Sequence, residues 1–374
     1  MRTYSLTSFL LFIVFLITAH TFNYDEAALV GYADVEPYNY ISTHGINNDA
    51  GLIYPYRYLE RWPLHLVVKW GSETFNLNVW IIYRYTVIIF GLLCFVVIKK
   101  LNISDLKKVA IFTFIIFNPY SFRLYYAVPG MVSDCALLVS FLIVICGILL
   151  KSHTQIILGI LLAIIARQNS ILLIPILVIL YYSKYLSKKN LVIYCLIILF
   201  GVLSIKLLTT KFYGGYNSNY LFNYFSGIIL WIFNNFSISS AISFFGRYIF
   251  FLLTLSGFIY LIDKDHKHIW VFIIIFLFTH LQPLMGGPLI TSGNIQRLSA
   301  LGLPFLSPLI INSSLNNKSI ICFIVISVMT SFHHHSSIFY YIDNGRILFL
   351  SLVLVLFPLI VFCRRFGFKT DNNK

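Results

Sequence analysis

The chain has 374 residues, 59% of them apolar and only 11% charged, with a mean hydropathy of +0.84. A soluble domain carries about 25% charged residues, so these values exclude one and leave an integral membrane protein. The formal charge of +14 comes from short basic clusters between hydrophobic runs, not from one basic face or tail, which argues against a nucleic-acid partner and marks topology instead.

The first apolar run, Ser5 to Phe22, follows Arg2 and is long enough to span with little tilt. It lacks a clean small-x-small cleavage site, so an uncleaved anchor is favoured over a signal peptide, with a cytoplasmic N-terminus. The polar stretch from about 23 to 77 then holds seven of the thirteen acidic residues: Asp25, Glu26, Asp34, Glu36, Asp49, Glu60 and Glu73. Asp25 to Tyr32 reads as a helix start, its acids favoured by the dipole of the first turn. Within this first external loop, the segment at about 54–70 mixes Tyr and Trp with Arg57, Arg61, His65 and Lys69, as a short amphipathic element lying in the interface does.

Apolar runs near 78–98, 109–118, 131–150, 154–166, 170–183 and 191–208 follow, then 247–262, 269–281, 298–312, 319–332 and 347–363. If every run spans, Lys99-Lys100, Lys107-Lys108, Lys151, Lys184, Lys188-Lys189, Lys264 to His268, Lys318 and Arg364-Arg365 share one side, cytoplasmic by the positive-inside rule. The expected fold is an all-α polytopic membrane protein of about twelve transmembrane helices (about ten to thirteen), with both termini inside and 1–374 forming one membrane domain. Gly227 to Ser240 is apolar but interrupted by Asn234 and Asn235, and reads as re-entrant or interfacial. The six cysteines lie in or beside apolar runs without CxxC spacing, as small buried hydrophobes do. His333 to His335 are adjacent in a loop and do not converge on a metal as residues on a helix face would.

On the external side of this scheme, cations gain nothing from topology. Arg123, Arg167, Lys211, Arg247 and Arg297 are therefore more informative than the cytoplasmic lysines, and Arg suits phosphate through its planar fork of donors. Asp134 lies about one turn into an apolar run, so it needs a cationic partner such as Arg123 or Arg167; a structural role is the stronger reading for it. A rim carboxylate can take a proton from an acceptor hydroxyl while cations stabilise a departing phosphate, and these are the parts of glycosyl transfer from a lipid-phosphate sugar.

The stretch Asn23-Tyr24-Asp25-Glu26-Ala27-Ala28-Leu29-Val30-Gly31-Tyr32-Ala33 after the first span resembles the GT-C superfamily of polytopic glycosyltransferases. Its protein mannosyltransferase and aminoarabinose transferase branches carry a similar Asp-Glu before a small-residue helix. Gly293-Asn294-Ile295-Gln296-Arg297, leading into a run with Pro304 and Pro308, resembles a late pattern of the same superfamily, and Asn118-Pro119 and Asp134 fit its layout more loosely. The resemblance implies a polyprenyl-phosphate-linked sugar donor, an external or periplasmic site in a bacterial inner or plasma membrane, and inversion at the anomeric carbon. It makes Asp25 the base and Glu26 its partner. Arg297, Arg123, Arg167 and Lys211 become candidates for the donor phosphate. The acceptor would be an envelope glycan, a glycolipid or a protein. Asp34, Glu36 and Asp49 read first as solvated loop acids, with a weaker reading as acceptor contacts or oxygen ligands to a divalent cation, Mg or Mn. The chain lacks a WWD-type motif and a large C-terminal soluble domain, which argues against a protein oligosaccharyltransferase. An O-antigen-type polymerase or ligase is the nearest alternative. A lipid-linked glycan flippase or transporter is the second, and would show a broken helix near mid-membrane and repeated halves, neither of which is evident from the residues.

Overall fold

A computed structural model describes residues 2–20, 35–47, 50, 53–54, 56–213, 227–255, 269–291, 294–312 and 317–329. Among them every regular element is helical. Four helical stretches are long and apolar enough to cross a membrane: Val79–Lys99, Pro129–Leu149, Lys188–Tyr213 and Trp270–Pro288. A 21-residue stretch such as the first is about 31 Å long, matching the hydrocarbon thickness. Shorter apolar helices accompany them at Tyr4–Ile17, His153–Ala166, Gln168–Tyr182, Leu303–Asn312 and Asn317–Val328.

The helices are α1 (Arg2–His20), α2 (Val35–His44), α3 (Trp62–Phe75), α4 (Val79–Lys99), α5 (Asp105–Phe117), α6 (Phe122–Ala127), α7 (Val132–Leu149) and α8 (His153–Ala166). They continue with α9 (Leu173–Tyr182), α10 (Lys188–Tyr213), α11 (Gly227–Asn234), α12 (Ile238–Leu253), α13 (Ile269–Thr291), α14 (Ile295–Ala300), α15 (Ser307–Asn312) and α16 (Asn317–Met329). The α7 stretch is the centre: 94% of its apolar window is buried, against 11% for α10, whose Val192, Leu196, Phe200, Leu203 and Leu207 face outward. Such an apolar exterior is stable only against lipid.

Close packing around α7 follows from small residues. A Cβ on Gly159 of α8 would stand 3.0 Å from the Ser140 carbonyl oxygen and 3.0 Å from the Val144 amide nitrogen of α7, so only glycine lets the two backbones approach. The α4 helix packs on another side of α7, while α5 is flanked by α1 and α16.

Two tight connections end on lysines. Lys151 and Lys184 adopt left-handed backbone at φ 53 and 65. They close α7 and α9 through Ser152 N to Gly147 O at 2.8 Å and Tyr185 N to Leu180 O at 2.9 Å. This is a Schellman-type ending, and a cation there also complements the helix C-terminus. The same end of the bundle gathers the start of α1 and the start of α5. Tyr4 donates its hydroxyl to Phe95 O at 3.0 Å, Lys108 approaches Asp105 at 3.8 Å, and Lys107 donates to Ile311 O at 2.8 Å.

Several boundaries differ from the sequence expectation. The run expected at 247–262 is instead preceded by α12, which starts at Ile238 because the Ser237 side chain caps it by accepting from Ser240 N; residues 256–268 lie outside the described set. Gly227 to Ser240 is interrupted as its asparagines suggested, α11 ending at Asn234. The run at 298–312 is three pieces, α14, a 3-10 turn at Leu303–Leu306 and α15, because Pro304 and Pro308 interrupt regular α hydrogen bonding. The interfacial segment expected at 54–70 is a single turn, Tyr56–Leu59, followed by α3. Finally, α13 is broken, a feature not evident from the residues alone: it holds Pro283 and Pro288, and Gly287 has φ 59 and ψ −173. A Cβ on Gly287 would meet Ile228 Cα of α11 at 2.7 Å, so both its backbone and its packing call for glycine.

Candidate functional site

The end of the bundle opposite the Lys151 and Lys184 turns is organised by the first turn of α7. A 3-10 turn, Pro129–Met131, feeds directly into that helix and sets Ser133 and Asp134 at its N-terminus. There the helix dipole favours a carboxylate. Asp134 is buried there, and the cationic partner its place in an apolar run calls for is present.

Arg167 pairs with Asp134 Oδ1. It stands just past the end of α8 with extended backbone, φ −162 and ψ 150, which turns its side chain away from the helix path. Arg297, in the short helix α14, brings Nε to 3.2 Å from Oδ2 of the same carboxylate, within ion-pair distance but without hydrogen-bond alignment. Its NH1 donates to Met131 Sδ at 2.8 Å. All three side chains are at most 6% exposed, and together they carry a formal charge of +1. The expected partner Arg167 is therefore present, and Arg297 is a second one the sequence did not suggest.

Tyr125 belongs to the surroundings of this triad. It sits on α6, fully buried, and the guanidinium charges of Arg297 and Arg167 both act on its phenol. Burial nevertheless dominates and pushes the phenol above its ordinary range, so it remains a neutral O–H donor. Arg123 is buried two residues earlier on the same helix.

Ser133 ties the triad to the first loop. Its Oγ is 3.2 Å from His65 Nε2, and His65 Nδ1 is 2.6 Å from the Tyr83 hydroxyl. That hydroxyl also contacts Ser42 Oγ and donates to Tyr38 O at 3.2 Å. The Tyr38 ring stacks on His65 at 4.6 Å, and the Arg61 guanidinium lies 5.1 Å from the Tyr38 ring and 5.8 Å from the Tyr58 ring. Burial, reinforced by the Arg61 charge, holds the His65 imidazole down at about 3, so it is neutral and uses both nitrogens in the network. One imidazole thus joins α2, α3, α4 and α7.

On the far side, Gln296, the residue before Arg297, donates to the Tyr120 hydroxyl at 3.0 Å. Asn118 accepts from Tyr120 N at 3.0 Å and donates to Thr254 Oγ1 at 3.1 Å. Phe251 lies between Tyr120 and His280, at ring distances of 6.2 and 5.5 Å. His280, within the broken helix α13, approaches Phe276 O through Nδ1 at 2.7 Å, and its buried Nε2 has no hydrogen-bond partner among the described residues.

Two further sequence candidates among the described residues, Lys211 and Glu36, stand on the surface. Lys211 is exposed in the last turn of α10. Glu36 is exposed on α2 and accepts from the Tyr54 hydroxyl at 3.4 Å. Asp25, Glu26, Asp34 and Asp49 lie outside the described residues. Among the described residues no three His, Cys, Asp or Glu side chains converge as metal ligands. Glu60 is held up at about 7 by burial, with Lys206 pulling the other way. In comparison with known proteins, the chain matches no family model, no curated protein and no solved structure.

Proposed function

We propose that the protein is a membrane glycosyltransferase of the GT-C kind, moving a sugar from a polyprenyl-phosphate carrier to a glycan, glycolipid or protein acceptor outside the cytoplasm. The observation that carries this reading is the convergence of Arg167 and Arg297 on Asp134, buried at the end opposite the Lys151 and Lys184 turns. Two guanidiniums sharing one carboxylate form a preorganised cationic centre in a low-dielectric setting, which suits a phosphate that gains charge as it leaves. In this scheme the lysine end is cytoplasmic, both termini are inside, and about twelve helices span.

The chemistry follows from the resemblance of the first loop. The acceptor hydroxyl attacks the anomeric carbon, Asp25 takes its proton with Glu26 beside it, and the bond from that carbon to the phosphate oxygen breaks with its electrons staying on the phosphate. Arg297 and Arg167 then hold the resulting anion, with Arg123 as a further cation on the neighbouring helix. Attack opposite the leaving group inverts the anomeric centre. Asp134 orients the two arginines and takes no proton itself.

A polysaccharide polymerase or ligase uses the same donor chemistry and stays an alternative. Transport of a lipid-linked glycan is a second reading from another class, and the broken helix α13 with its buried His280 favours it, since interrupted helices line transport sites. The two classes separate in reconstituted vesicles supplied with labelled polyprenyl-phosphate sugar. Transfer of label to an acceptor, abolished by Asp25→Asn with expression intact, supports the enzyme. Movement of intact donor between leaflets without transfer supports the transporter.

A further inference from the structure

We propose that the Tyr125 hydroxyl is a third donor to the phosphate group that Arg167 and Arg297 engage, so that the anion site comprises two guanidiniums and one phenol. This rests on the phosphate-binding reading above and extends it to a residue without charge or motif.

The Tyr125 hydroxyl is an unmet hydrogen-bond donor among the described residues. Tyr125 is 0% exposed, and its hydroxyl has no hydrogen-bond partner among the described residues. A buried hydroxyl without a partner is costly, and native interiors seldom keep one unless something else fills the need. Phenylalanine would fit the same ring packing, which includes an edge contact with Phe122 at 6.4 Å, without that penalty. Its helix α6 packs against the Pro129–Met131 turn and against α7, which carry Met131 and Asp134, the two groups that Arg297 engages, and the charges of Arg297 and Arg167 act on the buried phenol. An uncharged O–H there can donate to an anion but offers no competing carboxylate.

The chemistry also fits the division of labour. Arg167 and Arg297 already share Asp134, which fixes their directions; an incoming phosphate has several acceptor oxygens, and a phenol adds a donor from a third element, α6. Three donors carried by separate parts of the chain would recognise a tetrahedral anion better than two on their own. The ligand is a phosphate group, either the headgroup of a prenyl phosphate or free phosphate.

The test uses the full chain in detergent micelles with undecaprenyl phosphate and inorganic phosphate as probes. Tyr125→Phe should leave the unfolding midpoint of the ligand-free protein unchanged or raised, because it removes an oxygen with no partner. It should weaken phosphate binding by about 10- to 100-fold, the range for a hydrogen bond to a charged group. Tighter binding of undecaprenyl phosphate than of inorganic phosphate assigns the lipid headgroup, and equal binding assigns free phosphate; the Tyr125→Phe loss supports the inference in both cases. Unchanged affinity in Tyr125→Phe overturns it while leaving the glycosyl-transfer reading intact. A Tyr125-dependent phosphate site in a protein with no transfer activity overturns that reading and keeps the inference. Failure of the wild type to bind either probe overturns both.

Discussion

Replacing Asp134 by asparagine keeps the shape of the side chain and removes its charge, leaving two buried guanidiniums without the carboxylate they share. Arg167 and Arg297 are 6% and 5% exposed, so water replaces little of what is lost. Removing one partner of a buried ion pair costs about 3–5 kcal/mol. Both arginines are affected here, which puts the expected loss at the upper end of that range. The measurement is reversible unfolding in mixed micelles, followed by helical signal. Converting all three together, Asp134→Leu with Arg167→Met and Arg297→Met, should recover most of the loss, because a buried ionic cluster and an apolar one of similar volume differ little in stability. A single Asp134→Asn variant within about 1 kcal/mol of wild type would refute the argument that these charges depend on one another.

The His65 network and the break in α13 give two further expectations. His65 is held down at about 3 in the folded protein, whereas the unfolded chain takes the proton at about 6.5. Its linkage therefore leaves stability complete above about pH 6.5 and removes it as pH falls toward the folded value, at about 1.4 kcal/mol per pH unit. The acid limb of an unfolding profile between about pH 6 and pH 4 should then be shallower in His65→Gln by about 2–3 kcal/mol, and parallel limbs would contradict the buried neutral imidazole. Gly287→Ala should destabilise by about 1–3 kcal/mol, since alanine is strained at φ 59 and its Cβ meets Ile228; an unchanged unfolding midpoint would argue against the broken form of α13.

Much of the scaffold could be read from hydrophobic runs and their flanks. The helices at 79–99, 153–166 and 188–213 match the apolar runs because lysines, short polar links and length all point the same way. Where those signals conflict, boundaries moved: Ser237 starts α12 well before the apolar maximum, and Pro304 and Pro308 divide a run that looks continuous by hydropathy. The Asp134–Arg167 pair was partly visible, because an acid inside an apolar segment must find a cation. Arg297 as its second partner was not, since nothing local in the sequence links α14 to α7. His65 was also hidden: its surroundings in sequence are those of an interfacial helix, while its role comes from Ser133 and Tyr83 on other elements. Tyr125 carried still less signal, one tyrosine among 25.

On the proposed function, the buried arginine pair serves a departing phosphate during sugar transfer. Purified protein in vesicles, given labelled polyprenyl-phosphate sugars and envelope acceptors, tests it in one time course comparing wild type with Arg297→Ala. The wild type should give inverted product, and the variant a raised donor KM or a lowered kcat. Wild-type kinetics in Arg297→Ala would contradict it.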